Sequence, residues 1–344
     1  MGIQIADIIP RKEIELTDMK GKIIAVDAFN TLYQFLTTIR QADGTPLMDS
    51  KGRITSHLSG IFYRNINLLQ EGIKLIYVFD GKPPELKFKE IQKRKEQKEI
   101  AREKLEKAKE EGDTEAMHKY SQQTVKITDE IIEESKKLLE AMGIPVVQAE
   151  SEGEAEAALL ARKGVSWASA SQDYDSLLYG TPRLIRNLTL SRKRRTSSGM
   201  FVDTKIELVE FDKVLNELQI NLEQLICLGI LVGTDYNPGG VRGIGQKRAL
   251  EIVKKYEYPL KIFEFVEKSD KYTLDFDWQP IFHQFKSFKE THKEKINFQN
   301  IDLEKIKEIL VTDHEFSEER ITNALEKLKE VEKAKKQKGL NEFW

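Results

Sequence analysis

Seven carboxylates fall at or just after the ends of short apolar runs, or in a glycine-rich turn. Asp27 lies near the end of KIIAVDAF (22–29) and Asp80 closes IKLIYVFD (73–80). Glu152 and Glu154 follow PVVQAE (145–150), Asp173 and Asp175 follow WASAS (167–171), and Asp235 stands in GTDYNPGG. Acids crowded without counter-charge repel and raise one another's pKa, and a divalent cation removes that cost. An all-carboxylate donor set without His or Cys selects hard ions, Mg²⁺ or Mn²⁺ rather than Zn²⁺. Two such ions roughly 4 Å apart support in-line displacement at phosphorus. Taken singly, each acid has a plainer reading. Asp27 and Asp80 suit turn caps, and Ser151 with Glu154 three residues on makes a capping box for a helix over Glu152–Lys163. Helix spacing places Glu152 and Glu156 on one face, so spacing alone does not choose between Glu154 and Glu156. Asp173 and Asp175 share a side only in extended chain. The recurrence at four run ends, rather than any one acid, carries the metal reading.

The apolar runs that bring these acids together are short and separated by helix-like segments. With RLIRNL (183–188) as a fifth, they predict an α/β fold with a mainly parallel sheet flanked by helices. In such sheets ligands sit in the crevice beyond the carboxyl ends of the strands. Apolar residues at helical spacing predict helices over Thr55–Gln70 and Thr128–Met142, the second stopped by Gly143 and Pro145. Between the second and third strands lies an insert, about Lys82 to Ile127. Its first part, Lys82–Lys109, holds 11 Lys/Arg against 6 Asp/Glu. It favours helix, is poor in apolar residues, and is broken at Gly112-Asp113-Thr114. A charge run of this kind is ordinarily a solvated helical hairpin. Here it sprouts from an acid-bearing strand end, and Lys87 and Arg94, two helical turns apart, are placed to clamp a phosphate. Tyr33, six residues after Asp27, offers a face for base stacking or is an ordinary tyrosine.

Downstream of about residue 222 the chain becomes helical. In GVRGIGQKRA (240–249), Gly243 and Gly245 precede a helix start carrying Lys247 and Arg248. Helix N-terminal amides with basic side chains suit a phosphate or ion, and the pattern resembles a helix-hairpin-helix grip on duplex backbone. Ser317 suits a cap for a helix to Lys329, and residues 331–344 read as a flexible polar tail.

Composition narrows the class. The chain has 344 residues, 40% hydrophobic, enough for one large domain or two smaller ones, and a single domain over 1–330 is expected. One cysteine, Cys227, excludes an internal disulfide framework and fits a reducing compartment. No apolar run approaches the roughly 20 residues of a membrane span, and the charged start lacks a signal-peptide pattern. A cytoplasmic or nucleoid location is expected, nuclear in a eukaryote. Net charge is only −2, so the case for a polyanionic ligand rests on segregated charge.

Together these segments make the chain similar to the flap endonucleases, the structure-specific 5′-nucleases, of archaeal type. The resemblance runs in order through MGI, VDAFN (26–30), TSHLSGIFYR (55–64), VFDGKPPELK (78–87), SEGEAEA (151–157), SQDYDSLLYG (171–180), RNLT (186–189) and GTDYNPGGVRGIGQKRA (233–249). It implies a PIN-like 5′-nuclease fold and two Mg²⁺ ions, with Mn²⁺ as a substitute, held by Asp27, Asp80, Glu152, Glu154, Asp173, Asp175 and Asp235; the match to SEGEA demotes Glu156. It further implies that Lys87 and Arg94 contact the scissile phosphate, with Asp80, Glu152 and Asp175 also catalytic. DNA contacts are implied at Gly2, Tyr33, Arg40, Thr55, Gly243, Gly245, Lys247 and Arg248. The insert corresponds to a helical arch through which a 5′ strand threads. Residues 226–260 correspond to a helix–two-turn–helix that holds duplex and a K⁺ ion. Gln337, Leu340, Phe343 and Trp344 have the spacing of a sliding-clamp-binding (PCNA-binding) peptide, with the apolar pair on one 3₁₀ turn plugging a groove. The expected activity is 5′ flap incision with 5′–3′ exonuclease activity, by a monomer acting in DNA replication and repair. A related junction resolvase or 5′-exonuclease is the sibling reading. A metal-dependent phosphatase would share the acids but have no use for the basic insert.

Overall fold

The computed structural model describes residues 2–41, 44–190, 193–195, 201–288 and 296–341. After a short strand β1 (Lys12–Ile14), the chain lays down β2 (Ile23–Asp27), α1 (Ala28–Thr38), α2 (Ser56–Gln70) and β3 (Lys74–Phe79). The insert follows as α3 (Phe88–Glu111) and α4 (Thr114–Gln123). The chain returns through α5 (Asp129–Ala141), β4 (Val146–Gln148), α6 (Gly153–Arg162), β5 (Ala168–Ala170) and β6 (Arg183–Arg186). A separate hairpin, β7 (Lys193–Arg195) with β8 (Phe201–Asp203), precedes β9 (Ile206–Glu210).

The main sheet has seven strands in the order β1-β9-β6-β5-β2-β3-β4. The five strands predicted from sequence are all present and mutually parallel. Two more join antiparallel at one side: β9 pairs with β6, and β1 with β9. The sheet is therefore mixed, with a parallel centre. Strand order departs from β2 in both directions, to β3 on one side and β5 on the other, which is the switch-point geometry that opens a crevice at the strand ends. Alternation along β2 and β3 feeds both faces. Ile24, Val26, Leu75, Tyr77 and Phe79 pack with residues of α1, α2 and α5 such as Phe35, Ile61, Phe62 and Leu138. Ala25, Ile76 and Val78 pack with Ala157 and Leu160 of α6.

Local sequence explains most helix limits. Asp27 caps α1 by accepting from Asn30 N–H at 3.0 Å, and Thr128 caps α5 through Ile131 N–H. Gly112 ends α3 in the left-handed region (φ 67°), and Asp113 then caps α4. Helix α3 buries only Glu90, Ala101 and Ala108, so core packing contributes little to its position. Its partner α4 is tied to the body at Gly44, whose carbonyl accepts from Ser121 Oγ at 3.0 Å and Arg40 Nη1 at 2.6 Å.

The C-terminal third is α7 (Phe211–Leu218), α8 (Leu222–Val232), α9 (Gln246–Tyr256), α10 (Pro259–Glu267), α11 (Trp278–Lys286), α12 (Leu303–Lys307) and α13 (Glu318–Asn341). Helix α8 is buried along almost its whole length and anchors the second core, with α9 and α11 packed on it. Helix α13 seats Ile321 and Leu325 in the first core. Its backbone stays helical to Asn341, where a flexible tail was expected from 331; the run of Glu, Lys, Ala and Gln there has high helix propensity. Gln337 and Leu340 thus lie on helical backbone, and Phe343 and Trp344 fall outside the described residues.

Candidate active site

The strand-end crevice collects the carboxylates. Asp27 is the last residue of β2, Asp80 follows β3, and Glu152 and Glu154 flank the first residue of α6 just beyond β4. Asp173 lies in the bend after β5, and Asp175 opens the 3₁₀ turn Asp175–Leu177. Asp235 enters from the far side, on the turn that follows α8. There Gly233 (φ 113°) and Gly240 (φ 60°) pack backbone to backbone; a Cβ on Gly233 would stand 2.6 Å from Gly240 N. Thr234 and Asn237 lock the turn by hydrogen bonds of 2.7 Å to each other and from Asn237 Nδ2 to Ile230 O.

Apart from Asp27, the acids are held by groups far away in sequence. Asp80 Oδ1 accepts from Gly153 N–H at 2.6 Å. Glu154 Oε1 accepts from both Ser176 N–H, at 2.9 Å, and Ser176 Oγ, at 2.7 Å. Asp173 accepts from Gly2 N–H and from Asn30 Nδ2, each at 3.0 Å, and Asp175 from Ile3 N–H at 2.9 Å. The expected Ser151–Glu154 capping box does not form. The cap position is Glu152, and Glu154 is drawn instead to Ser176, because Gly153 N–H is already engaged by Asp80 and the helix starts two residues beyond Ser151. Glu156, the residue spacing could not separate from Glu154, is fully buried inside α6.

The electrostatics fit a cation-binding centre. Burial, with the charges of Asp80 and Asp173, pushes Asp27 up to about 8. Burial, with Asp235 and Asp173, pushes Asp175 up to about 7. Glu154 is raised well above its ordinary value by burial and by Asp175, Asp173 and Asp27, and Asp80 is raised by burial as well. Burial would also raise Asp235, but Lys87 and Arg94 outweigh it and hold that carboxyl low. Oxygen-only donors, desolvated and repelling one another, are the set that hard divalent ions relieve. Among the described residues no three His, Cys, Asp or Glu side chains are placed to hold one ion as they stand. Two of the acids, Glu152 and Asp235, are paired with Lys87.

Lys87 and Arg94 do reach the crevice. Lys87 Nζ lies 2.5 Å from Glu152 Oε1 and 3.1 Å from Asp235 Oδ2. Arg94 bonds Asp235 Oδ1 and Glu90 Oε1, both at 2.8 Å. Burial works against the charge on Lys87, yet the two carboxylates more than compensate and raise its pKa.

Among the other sequence-predicted residues, Gly2 touches the site directly; a Cβ there would stand 2.5 Å from Asp173 Cβ. Tyr33 is 42% exposed on α1. Arg40 caps the end of α1 through Leu36 O and Gly44 O, and Thr55, at the start of α2, is buried rather than on the surface. Gly243 (φ 89°) makes the turn before α9, Gly245 is its cap residue, and Lys247 and Arg248 are exposed on its first turn. These four lie on the α8–α9 unit, away from Arg40 and Thr55 in the chain.

Sequence reasoning missed Asn30, Gly153 and Ser176 as named residues, and above all Tyr179 and Tyr236, whose hydroxyls both meet Glu152. Tyr174, between the two aspartates, faces the other way. Its hydroxyl accepts from Arg186 Nη1 at 2.6 Å and Arg186 lies over its ring, so it pins the Asp173–Asp175 bend to β6.

An acidic crevice at a sheet switch point, with basic helices folded over it, defines a nuclease of the XPG class. The XPG N-terminal domain matches residues 1–101 and the XPG I-region residues 143–235. Flap endonuclease 1 of Pyrococcus furiosus is 54% identical over 346 residues, covering 100% of this chain and 99% of its own. The structure of flap endonuclease-1 from Methanococcus jannaschii superposes with a TM-score of 0.76 at 41% identity, covering 97% of this chain and 100% of that one. The DNA-bound catalytic core of Rad2 shares the fold (TM-score 0.70, 21% identity, 92% and 96% coverage). The chain belongs to the flap endonuclease 1 family.

Proposed function

We propose that this protein hydrolyses a phosphodiester bond in DNA at the base of a 5′ flap, with accompanying 5′–3′ exonuclease activity and a requirement for Mg²⁺, for which Mn²⁺ substitutes. One observation carries the reading: carboxylates from four strand ends and Asp235 share a single electrostatic environment, and two cations, Lys87 at the cap of α3 and Arg94 within it, are bonded into it. Asp27, Asp80, Glu152, Glu154, Asp173, Asp175 and Asp235 would hold the ions. Bound there, two divalent ions supply Lewis-acid stabilisation of an in-line phosphoryl displacement.

The chain's own groups do the rest. Lys87 and Arg94 sit where a scissile phosphate entering the crevice exchanges for the carboxylates they now bond, and their charge opposes the negative charge that develops on the phosphoryl oxygens. Gly2 N–H fixes Asp173, so the second residue of the chain is part of the crevice wall. Exposed Tyr33 is the stacking face for a base next to the cut. Gly243, Gly245, Lys247 and Arg248 hold duplex backbone at the start of α9, with K⁺ at the same turn. Arg40 and Thr55 complete the DNA surface on the α1–α2 side. Gln337, Leu340, Phe343 and Trp344 dock on a sliding clamp. A 5′-labelled double flap incubated with and without Mg²⁺ tests the reading, beside a four-way junction. Flap cleavage only with metal is expected; equal cutting of the junction would favour a resolvase, and cleavage of neither would end the proposal.

A further inference from the structure

Glu152 is held in an unusual way. It stands at the cap position of α6, yet its side chain makes no cap hydrogen bond. Instead its two oxygens are divided. Oε1 takes the Lys87 ammonium at 2.5 Å, while Oε2 takes the hydroxyl of Tyr179 at 2.7 Å and that of Tyr236. The two phenol oxygens are themselves 2.8 Å apart. Two protons serve three oxygen–oxygen contacts, so in every arrangement that uses both hydrogen bonds the carboxylate accepts at least one.

Both tyrosines are buried, at 4% and 7% exposure, and the ring of Phe285 on α11 packs against each, with centroids 4.9 and 5.2 Å away. Their places in the chain matter as much. Tyr179 comes four residues after Asp175, and Tyr236 directly follows Asp235. One carboxylate oxygen therefore joins three acid-bearing segments that are otherwise distant in sequence. A carboxylate held by hydrogen bonds from one side has a fixed orientation, and such outer partners commonly set metal affinity within 10- to 100-fold.

We propose that Tyr179 and Tyr236 are positioning residues that commit Glu152 Oε2 to the protein interior, so that Oε1 alone is presented to a divalent cation in the crevice. This rests on the nuclease reading above. Lys87 on Oε1 then marks the direction from which that oxygen is approached. The clasp also sets the spacing of Glu152 from Asp175 and Asp235, since each phenol is fixed to one of those segments.

The test uses the full chain with Tyr179→Phe, Tyr236→Phe and the double variant, which keep the rings and remove only the oxygens. Mn²⁺ binding is measured by calorimetry without DNA, beside the Mg²⁺ dependence of single-turnover flap cleavage. The double variant is expected to bind Mn²⁺ about 10- to 100-fold more weakly. The Mg²⁺ concentration for half-maximal rate should rise by a similar factor, with the rate largely recovered at saturating Mg²⁺. Flap affinity in chelator should stay within about twofold, which separates positioning from general damage. If the double variant unfolds, the single variants carry the same comparison. Unchanged Mn²⁺ affinity in folded variants overturns the proposal, as does a rate that added Mg²⁺ does not recover. A wild-type chain that binds Mn²⁺ but cuts no flap leaves the clasp measurable by calorimetry and ends the flap reading instead.

Discussion

Gly153 is where a single methyl group should separate activity from stability. Its φ is negative, so the backbone accepts alanine, and only space decides. A Cβ at that position would stand 2.8 Å from Asp80 Oδ1 and 2.9 Å from Val78 O, near the end of strand β3. Ordinary contact begins near 3.4 Å, so something must yield by about half an ångström. Val78 O belongs to a strand paired on both sides and does not yield. The start of α6 must lift, carrying Glu152 and Glu154 with it, or Asp80 must turn away and loosen its 2.6 Å hydrogen bond from Gly153 N–H. A hydrogen bond to a charged group contributes about 1.5–3 kcal/mol. Alanine in place of glycine returns up to about 1 kcal/mol in a helix, less in the first turn. The net loss is about 1 kcal/mol, a drop in Tm of about 1–2 °C for a chain this size. Catalysis is more demanding, because a displacement of about 1 Å costs on the order of 10²-fold. Gly153→Ala should therefore lower the single-turnover cleavage rate about 10- to 100-fold at saturating Mg²⁺ while Tm falls only slightly. Cleavage at the wild-type rate would refute the claim that this close approach sets the geometry of Asp80, Glu152 and Glu154. A collapse in Tm with proportionate loss of rate would show that the glycine serves packing alone.

Other perturbations probe the same logic. Asp175→Asn keeps an acceptor for Ile3 N–H and removes one of several crowded charges, so it should abolish cleavage, retain flap binding, and melt above wild type in chelator by differential scanning fluorimetry; a lower melting point would contradict the repulsion. Away from the site, buried His57 bonds Glu134 at 3.1 Å, and His314 bonds the same carboxylate at 3.2 Å. Burial holds His57 below 6.5 against the pull of Glu134; burial opposes but His57 and His314 outweigh it in holding Glu134 low. In both cases the unfolded chain takes up the proton first as pH falls; the His57 contribution is intact above pH 6.5 and declines below it, whereas that of Glu134 declines only below 4.5. Melting followed by circular dichroism should decline from pH 6.5 to 5, and His57→Gln should flatten that slope; an unchanged slope would remove His57 as its source. Deleting Gln337–Trp344 should spare intrinsic cleavage and remove stimulation by a sliding clamp, and equal stimulation of the truncated chain would refute clamp docking by this segment.

The legible parts of this protein were those that local pattern determines. Strands β2 to β6 announced themselves as apolar runs, and the limits of α2 and α5 fell within a residue of those expected because apolar spacing, Thr128 and Gly143 are local signals. Asp27, Asp80, Asp173 and Asp175 were legible because strand ends in a parallel sheet converge whatever the loops do. Strands β1 and β9 were missed: KEI is three residues long, and IELVE alternates charge and apolar character too briefly to declare itself. The supports of the acids were harder still. Asn30 reaches Asp173 across 143 residues, and Tyr236 reaches Glu152 across 84. No periodicity encodes such contacts. The Ser151–Glu154 pattern failed for the same reason: a local capping rule lost to two long-range bonds, from Gly153 to Asp80 and from Ser176 to Glu154.

What holds α3 over the crevice follows from the same bonds. The helix buries almost nothing apolar, and its contacts at the site end are ionic: Lys87 to Glu152 and Asp235, Arg94 to Asp235. Lys87 is only 20% exposed, and removing the partner of such a charge costs about 3–5 kcal/mol when nothing replaces it. Cations in the crevice would compete for Glu152 and Asp235, leaving Lys87 and Arg94 without their acids. A phosphate diester arriving at the same moment offers both of them a replacement anion. Under the proposed function, metal and DNA therefore favour each other's binding through α3: metal frees the two basic side chains, and DNA relieves the charge that metal leaves unpaired. That coupling predicts tighter flap binding in a non-catalytic divalent ion such as Ca²⁺ than in chelator, and its loss when Lys87 and Arg94 are both replaced by methionine. Equal affinities of the wild type in the two conditions would mean that the helix is positioned by something other than these ion pairs.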